Sequence, residues 1–199
     1  MSAPRRAGAA PAARGCVFVD RDGTLIEEVG YLDRPERVVL YPWTVDALRA
    51  LNRAGLRVIL VSNQSGVARG FFSEAVVHDV HRRIAELLEA GNARIDAYYH
   101  CPHHPDGSVP DYAIACDCRK PSPGLVARAV REFGIDPTRS FVVGDRWVDV
   151  GLARRVGGRG VLVRTGYGAA EERHPPDLLL ADAVADNFAG AVGWILRQA

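Results

Sequence analysis

The 199-residue sequence has no uninterrupted apolar run of about 18 residues, so nothing in it is built to cross a bilayer as a helix. It has no excess of either charge. Against 24 Asp and Glu stand 25 Lys and Arg, and a formal net charge of +1 supplies no global field for nucleic acid or an anionic membrane. Cysteine is sparse, with four residues. The first fifteen residues, MSAPRRAGAAPAARG, lack the apolar middle of a secretion signal. The expected compartment is therefore the reducing cytoplasm, where the cysteines are not expected to pair as disulfides. That opening stretch is small, Pro-broken and basic, and is expected to be a disordered tail over residues 1–15. There is no internal repeat and no second composition boundary, so residues 16–199 are expected to form one domain.

What is present is an alternation of short apolar runs with helical periodicity. Runs at Cys16–Asp20, Arg57–Val61, Ile95–Tyr99, Ser140–Val143 and Gly160–Val163 read as strands, with a short sixth at Leu178–Leu180. Between them lie helical stripes. Val45, Leu48 and Leu51 form one, stopped by Gly55. Val76, Val77, Val80, Ile84, Leu87 and Leu88 form another, with Ser73 as candidate N-cap. A third helix is expected to open at Ser122-Pro123, a fourth to cover Val150–Val156, and a terminal one Phe188–Leu196. Such alternation predicts an α/β fold, a three-layer, Rossmann-like parallel sheet with helices on both faces. Leu25 to Pro42 has no clean period and reads as a loop or hairpin flap. No long helical insertion interrupts the pattern, so no large cap domain is expected.

The strand ends carry the chemistry. The first run ends in Asp20-Arg21-Asp22-Gly23-Thr24, the second in Ser62-Asn63-Gln64-Ser65-Gly66, and the fourth in Gly144-Asp145. In an open parallel sheet the C-terminal ends of the strands converge on one crevice. Two carboxylates two residues apart and a third from another strand make a hard oxygen site suited to Mg²⁺. Ser62, backbone N–H groups and Lys120 are donors of the kind found around a phosphoryl group. An Asp-x-Asp-Gly segment can also be a plain turn or part of a calcium loop. An EF-hand, however, needs Glu at its twelfth position, and counting from Asp20 that position is Tyr31. Arg21, between the two aspartates, would point away from them on a strand and is assigned no chemistry.

Three of the four cysteines lie in Cys101-Pro-His103-His104…Cys116-Asp-Cys118. Four soft or borderline ligands would close a tetrahedral zinc site with no position for water, which is the structural kind. A turn-rich loop of this length would otherwise be poorly ordered. Cys16 begins a strand and reads as a buried small apolar residue.

Asp20-Arg21-Asp22-Gly23-Thr24, Ser62-Asn63, Lys120-Pro121 and Gly144-Asp145-x-x-x-Asp149 resemble the four ordered motifs of the haloacid dehalogenase superfamily, over about residues 16 to 170. The resemblance implies that Asp20 is a covalent nucleophile and Asp22 the general acid and base. Mg²⁺ would be held by Asp20, the carbonyl of Asp22, and Asp145. Ser62 and Lys120 would stabilise the phosphoryl oxygens, with Asp149 either orienting the site or standing as an exposed helix carboxylate. The Cys-Pro-His-His-Pro…Cys-Asp-Cys-Arg-Lys-Pro segment, Gly30-Tyr31 and Ser62 to Gly70 further resemble one branch, the heptose bisphosphate phosphatases and the related histidinol-phosphate phosphatases. That implies zinc ligation by Cys101, His103, Cys116 and Cys118, and a substrate site lined by Glu28, Val29, Gly30, Tyr31, Asn63, Gln64 and Ser65. Arg119 would meet a distal phosphate. Arg146 stands where the branch usually has Lys, which keeps the charge and changes the geometry. The implied reaction removes the C7 phosphate of a D-glycero-D-manno-heptose 1,7-bisphosphate, with histidinol phosphate as the rival substrate. The implied partner is a small sugar phosphate met by a monomer, with no nucleic acid and no membrane. Near-neutral charge argues against an end-processing phosphatase on nucleic acid. A zinc-organised binding module is disfavoured because every catalytic position is filled.

Overall fold

The structure is a computed structural model that describes residues 15–198. The expected tail over 1–15 thus falls almost wholly outside the described residues. Six parallel strands form the central sheet: β1 (Cys16–Val19), β2 (Arg57–Asn63), β3 (Ala97–Cys101), β4 (Phe141–Gly144), β5 (Arg159–Val163) and β6 (Ala183–Ala185). Their order is β3-β2-β1-β4-β5-β6. The chain adds strands outward from β1 on one side, then returns to add β4, β5 and β6 on the other. β1 and β4, paired Val17 to Phe141 and Val19 to Val143, therefore flank the point where the winding reverses. Ligands of open α/β sheets bind beyond the strand ends at such a point.

Alternation along each strand divides the core. Val17, Val19, Val58, Leu60, Val143 and Val161 face one layer, built from α1 (Thr44–Arg53), α2 (Glu74–Ala90) and α6 (Phe188–Leu196). Cys16, Phe18, Ile59, Val61 and Val142 face the other, built from α3 (Gly124–Phe133) and α4 (Trp147–Val156). Both faces of β1 are fully buried, as an all-apolar parallel strand requires. A short α5 (Gly168–Glu171) follows β5. Among the described residues no helix is long and apolar enough to cross a membrane.

The 25–42 segment is a hairpin-like flap. Ile26 bridges Leu40 in antiparallel sense, Glu27 N–H donates to the Val39 carbonyl at 2.9 Å, and a 3-10 turn at Pro35–Arg37 lies between the arms.

Four expectations shift. The last strand is not at Leu178–Leu180, since Leu178 has φ +62° and is fully exposed; pairing with Val161–Val163 falls to Ala183–Ala185 instead. β3 ends at Cys101 rather than Tyr99, so the cysteine cluster begins on the sheet itself. α3 begins at Gly124, just after the expected Ser122-Pro123 opening. α4 begins at Trp147, because the Asp149 carboxylate accepts from the Arg146 N–H at 3.2 Å and caps the helix one turn earlier than the apolar pattern suggested.

Candidate active site and metal centres

Asp20 is the first residue beyond β1, and its N–H still donates to the Val143 carbonyl of β4 at 2.9 Å. Asp145 is the first residue beyond β4 and is buried. The carboxylate oxygens of Asp20, Asp145 and Asp149 lie within 4.8 Å of one another. Asp145 is cradled by backbone: Tyr167 N–H donates to its Oδ2 at 2.8 Å, and a Cβ on either Gly23 or Gly166 would come within 2.2 Å of that oxygen. Both glycines have positive φ, +72° and +55°, so the close approach and the backbone conformation together require glycine.

One cation lies among these carboxylates. Lys120 Nζ is 2.7 Å from Asp20 Oδ1 and 2.7 Å from Asp149 Oδ1, and donates to the Val61 carbonyl at 2.8 Å. Burial works against its charge, but Asp149 and Asp20 outweigh it and hold Lys120 above its ordinary value. The carboxylates are not fully neutralised. Burial, with Asp149 and Asp22 adding repulsion against the pull of Lys120, pushes Asp20 up to about 7. Burial and the charges of Asp20 and Asp149 push Asp145 up to about 8. Three buried carboxylates facing one ammonium fit a divalent hard cation, which would keep Asp20 and Asp145 ionised. Asp149 is fully buried, with its two oxygens on Lys120 and the Arg146 N–H. That leaves Asp20 and Asp145 as the carboxylates free to turn to such an ion.

Asp22 faces the cleft on a different set of partners. Arg21 Nε contacts both its oxygens at 3.1 Å, Arg21 Nη2 reaches Oδ1 at 2.9 Å, and Gln64 Nε2 donates to Oδ2 at 2.9 Å. Arg21 is almost completely buried and also donates from Nη2 to Gln64 Oε1 at 2.9 Å. The expectation that Arg21 turns away from the site is therefore corrected: β1 stops at Val19, and past the strand end the alternation rule no longer applies. Gln64 completes the network by donating to Ser62 Oγ at 2.6 Å. Asn63 ties two motifs together, since its Nδ2 donates to the Lys120 carbonyl and its Oδ1 accepts from the Lys120 N–H, at 3.1 and 2.9 Å.

These groups open onto a cleft of about 470 Å³. Of the residues expected around substrate, Glu28, Gly30, Tyr31, Asn63, Gln64, Ser65, Arg119 and Arg146 line it with Asp20, Asp22, Ser62 and Lys120. Val29 does not; its side chain packs on the core. Asp145 lies beneath the floor. Four lining residues were not read from the sequence: Trp147, Val148, Tyr167 and Glu171. Trp147 N–H donates to Glu171 Oε2 at 3.0 Å, and the Arg146 guanidinium lies 4.9 Å from the Tyr167 ring centre. Tyr167 and Glu171 follow β5, where the sequence carries no recognisable motif, and only the sheet order brings them to the cleft.

The cysteine loop lies beside the cleft. Cys101 Sγ is 3.5 Å from Cys116 Sγ, Cys116 Sγ is 3.3 Å from Cys118 Sγ, and His103 Nδ1 is 3.3 Å from Cys118 Sγ and 3.8 Å from Cys101 Sγ. Tetrahedral zinc with bonds of about 2.3 Å to sulfur separates its ligands by about 3.8 Å, so the four atoms fit that ion. The Cys101 sulfur, and then burial, push the Cys118 thiol far up. His104 points elsewhere, its Nε2 3.3 Å from Arg69 and its Nδ1 accepting from the Asp106 N–H. The loop braces both sides of the cleft: Arg119 Nη1 donates to the His103 carbonyl at 3.2 Å, and Ala68 N–H donates to the Pro102 carbonyl at 3.2 Å.

A family model described as HAD-hydrolase-like matches residues 117–191. A D-glycero-D-manno-heptose-1,7-bisphosphate 7-phosphatase of Thermosynechococcus vestitus is 43% identical over 187 residues, covering 92% of this chain and 95% of that one. A D-glycero-beta-D-manno-heptose-1,7-bisphosphate 7-phosphatase of Rhodopseudomonas palustris is 44% identical over 156 residues, 78% of this chain and 82% of the relative. Among solved structures, the D,D-heptose 1,7-bisphosphate phosphatase of B. bronchiseptica in complex with magnesium and phosphate superposes with a TM-score of 0.81. It is 29% identical, and the match covers 93% of this chain and 99% of that one.

Proposed function

The chain belongs to the heptose bisphosphate phosphatase family of HAD-like hydrolases, and from that premise we propose that it removes the C7 phosphate of a D-glycero-D-manno-heptose 1,7-bisphosphate through an aspartyl-phosphate on Asp20. The observation that carries the reading is the charge gathered in one cleft: Asp20 in contact with Lys120 at 2.7 Å, with the cations Arg119 and Arg146 also lining it. An Asp20 carboxylate oxygen attacks phosphorus in line as the sugar oxygen leaves. Asp22, oriented by Arg21 and Gln64, gives its proton to that oxygen, then takes one from the water that displaces Asp20 from phosphorus. Lys120 and Ser62 stabilise the charge on the phosphoryl oxygens. Asp20 and Asp145, with the Asp22 carbonyl, would hold Mg²⁺, which when bound offsets the repulsion between the carboxylate and the phosphate dianion. Cys101, His103, Cys116 and Cys118 would hold a structural zinc that fixes the loop carrying Arg119 and Lys120. The acting form is read as a cytoplasmic monomer, with residues 16–199 as its single domain.

Arg119 gives the test. A charge-assisted hydrogen bond to phosphate contributes about 1.5–3 kcal/mol. Arg119→Ala should therefore lower kcat/KM for heptose bisphosphate about tenfold to a hundredfold, while a simple monophosphate loses little. NMR of the wild-type product should show heptose 1-phosphate. Equal losses on both substrates would remove the physical basis for a bisphosphate. Histidinol phosphate, whose far end is cationic, would then be the better substrate.

A further inference from the structure

On the face of α2 that meets the edge strand β3, Glu74, His78 and His100 bring one carboxylate oxygen and two imidazole nitrogens within 4.8 Å of one another. None of the three belongs to the cleft or to the cysteine cluster. We infer that they form a third metal site, for a borderline divalent ion of the zinc class, which ties the first turn of α2 to the end of β3.

Glu74 and His78 are one helical turn apart and project on the same face of α2. His100 comes from the penultimate residue of β3, its Nε2 already 2.9 Å from Glu74 Oε1. The rings of His78 and His100 stand edge to face, 5.2 Å between centres. This mixture of rigid and free parts suits a metal. The His100 side chain is only 7% exposed and Glu74 is 36% exposed, whereas His78 is exposed and can swing in from solvent to complete the set. The carboxylate is held from behind by Tyr112, whose hydroxyl donates to Glu74 Oε2 at 3.1 Å. Such outer contacts orient ligands at metal sites. His81, one turn further along α2, is buried with its ring 5.6 Å from that of His100, and its Nε2 has no hydrogen-bond partner among the described residues.

Two imidazoles and one carboxylate favour Zn²⁺, Ni²⁺ or Co²⁺ over the oxygen-seeking Mg²⁺ and Ca²⁺. Three protein ligands leave coordination positions for water, so this site should exchange its ion more readily than the closed cysteine cluster. The alternative is a plain Glu74–His100 hydrogen bond with His78 as an unrelated surface residue.

Cobalt(II) discriminates the two. Purified full-length protein, with Mg²⁺ saturating, is titrated with Co²⁺ and followed by absorbance, alongside His78→Ala and Glu74→Gln. Bands from ligand-field transitions report any bound cobalt, whereas sulfur-to-cobalt charge transfer reports the cysteine cluster alone. Losing even an outer-shell partner weakens metal sites by about 10–100-fold. Each variant should therefore bind the additional Co²⁺ at least about tenfold more weakly, with any sulfur charge-transfer band unchanged. Because His78 is exposed, its replacement leaves the core intact, and circular dichroism of both variants checks this. Wild-type protein that takes up no cobalt outside the cysteine cluster and the Mg²⁺ site would overturn the inference. So would variants that take it up as tightly as wild type.

Discussion

At the scale of single residues, Arg21 orients the Asp22 carboxylate proposed as the acid. A guanidinium buried this deeply is costly unless its nitrogens are used; Nε and Nη2 are spent on Asp22 and Gln64, while Nη1 is buried with no hydrogen-bond partner among the described residues. That fork fixes the plane of the Asp22 carboxyl against the cleft. General acid catalysis contributes about 10²–10⁴-fold where the leaving group needs a proton. Arg21→Ala should therefore cost about a hundredfold in kcat on an alkyl phosphate and far less on an aryl phosphate with a good leaving group. A fold defect would hurt both alike, so the ratio of the two rates is the measurement. The aspartates were legible in the sequence because Asp-x-Asp-Gly-Thr, Ser-Asn and Gly-Asp sit at strand ends. Arg21 was not, because where a strand stops decides which way the next side chains turn. Asp149 could be read either as a site residue or as an exposed helix carboxylate. Its full burial against Lys120 depends on packing between β4, α4 and a loop 29 positions upstream of Asp149.

Among the elements, the cysteine loop is tied to both sides of the cleft. Its hydrogen bonds brace the 64–70 loop on one side and Arg119 on the other, so metal in the Cys101, His103, Cys116 and Cys118 cluster should order both walls of the cleft. Structural zinc contributes folding free energy directly. Freshly purified protein should carry one tightly held zinc per chain. Cys116→Ser should lower that content, the melting temperature and kcat/KM together, as read by metal analysis, a thermal scan and phosphate release. Absence of zinc from unchelated protein would contradict it. The cluster could be read from ligand spacing, and the choice of His103 over His104 only from the resemblance. The exact ends of β3 and α4 could not, because apolar pattern marks the middle of an element while hydrogen bonds and caps set its ends. β6 was misplaced for a related reason: three consecutive leucine positions look more strand-like than Ala183–Ala185, yet only the latter can reach the β5 backbone.

Across the whole molecule, winding the sheet outward from β1 and again from β4 gathers three carboxylates, one ammonium and a bracing loop at one end. The parallel α/β class followed from alternating runs; the strand order did not, because apolar strands carry no label for their neighbours. Concentrating carboxylates has a measurable cost. Asp20 and Asp145 bind protons more tightly folded, at about 7 and about 8, than at the ordinary value of 3.8. A raised carboxyl pKa means that stability is present at low pH and is lost as pH rises through the folded value. Metal-free protein should therefore melt higher at about pH 7 than at about pH 8.5, a window above the ordinary histidine value of 6.5, near and below which the buried His81 opposes folding. Saturating Mg²⁺ should flatten or reverse that slope, since the ion stabilises the ionised carboxylates; a slope indifferent to Mg²⁺ would separate these groups from metal binding. The central claim, that Asp20 is the nucleophile, is tested most directly by the turnover of Asp20→Asn on heptose bisphosphate, with the fold checked by circular dichroism. The amide is nearly the same shape but is a poor nucleophile and a weaker metal ligand, so phosphate release should fall to background while the protein stays folded; a variant that kept about a tenth of wild-type activity would contradict the covalent mechanism.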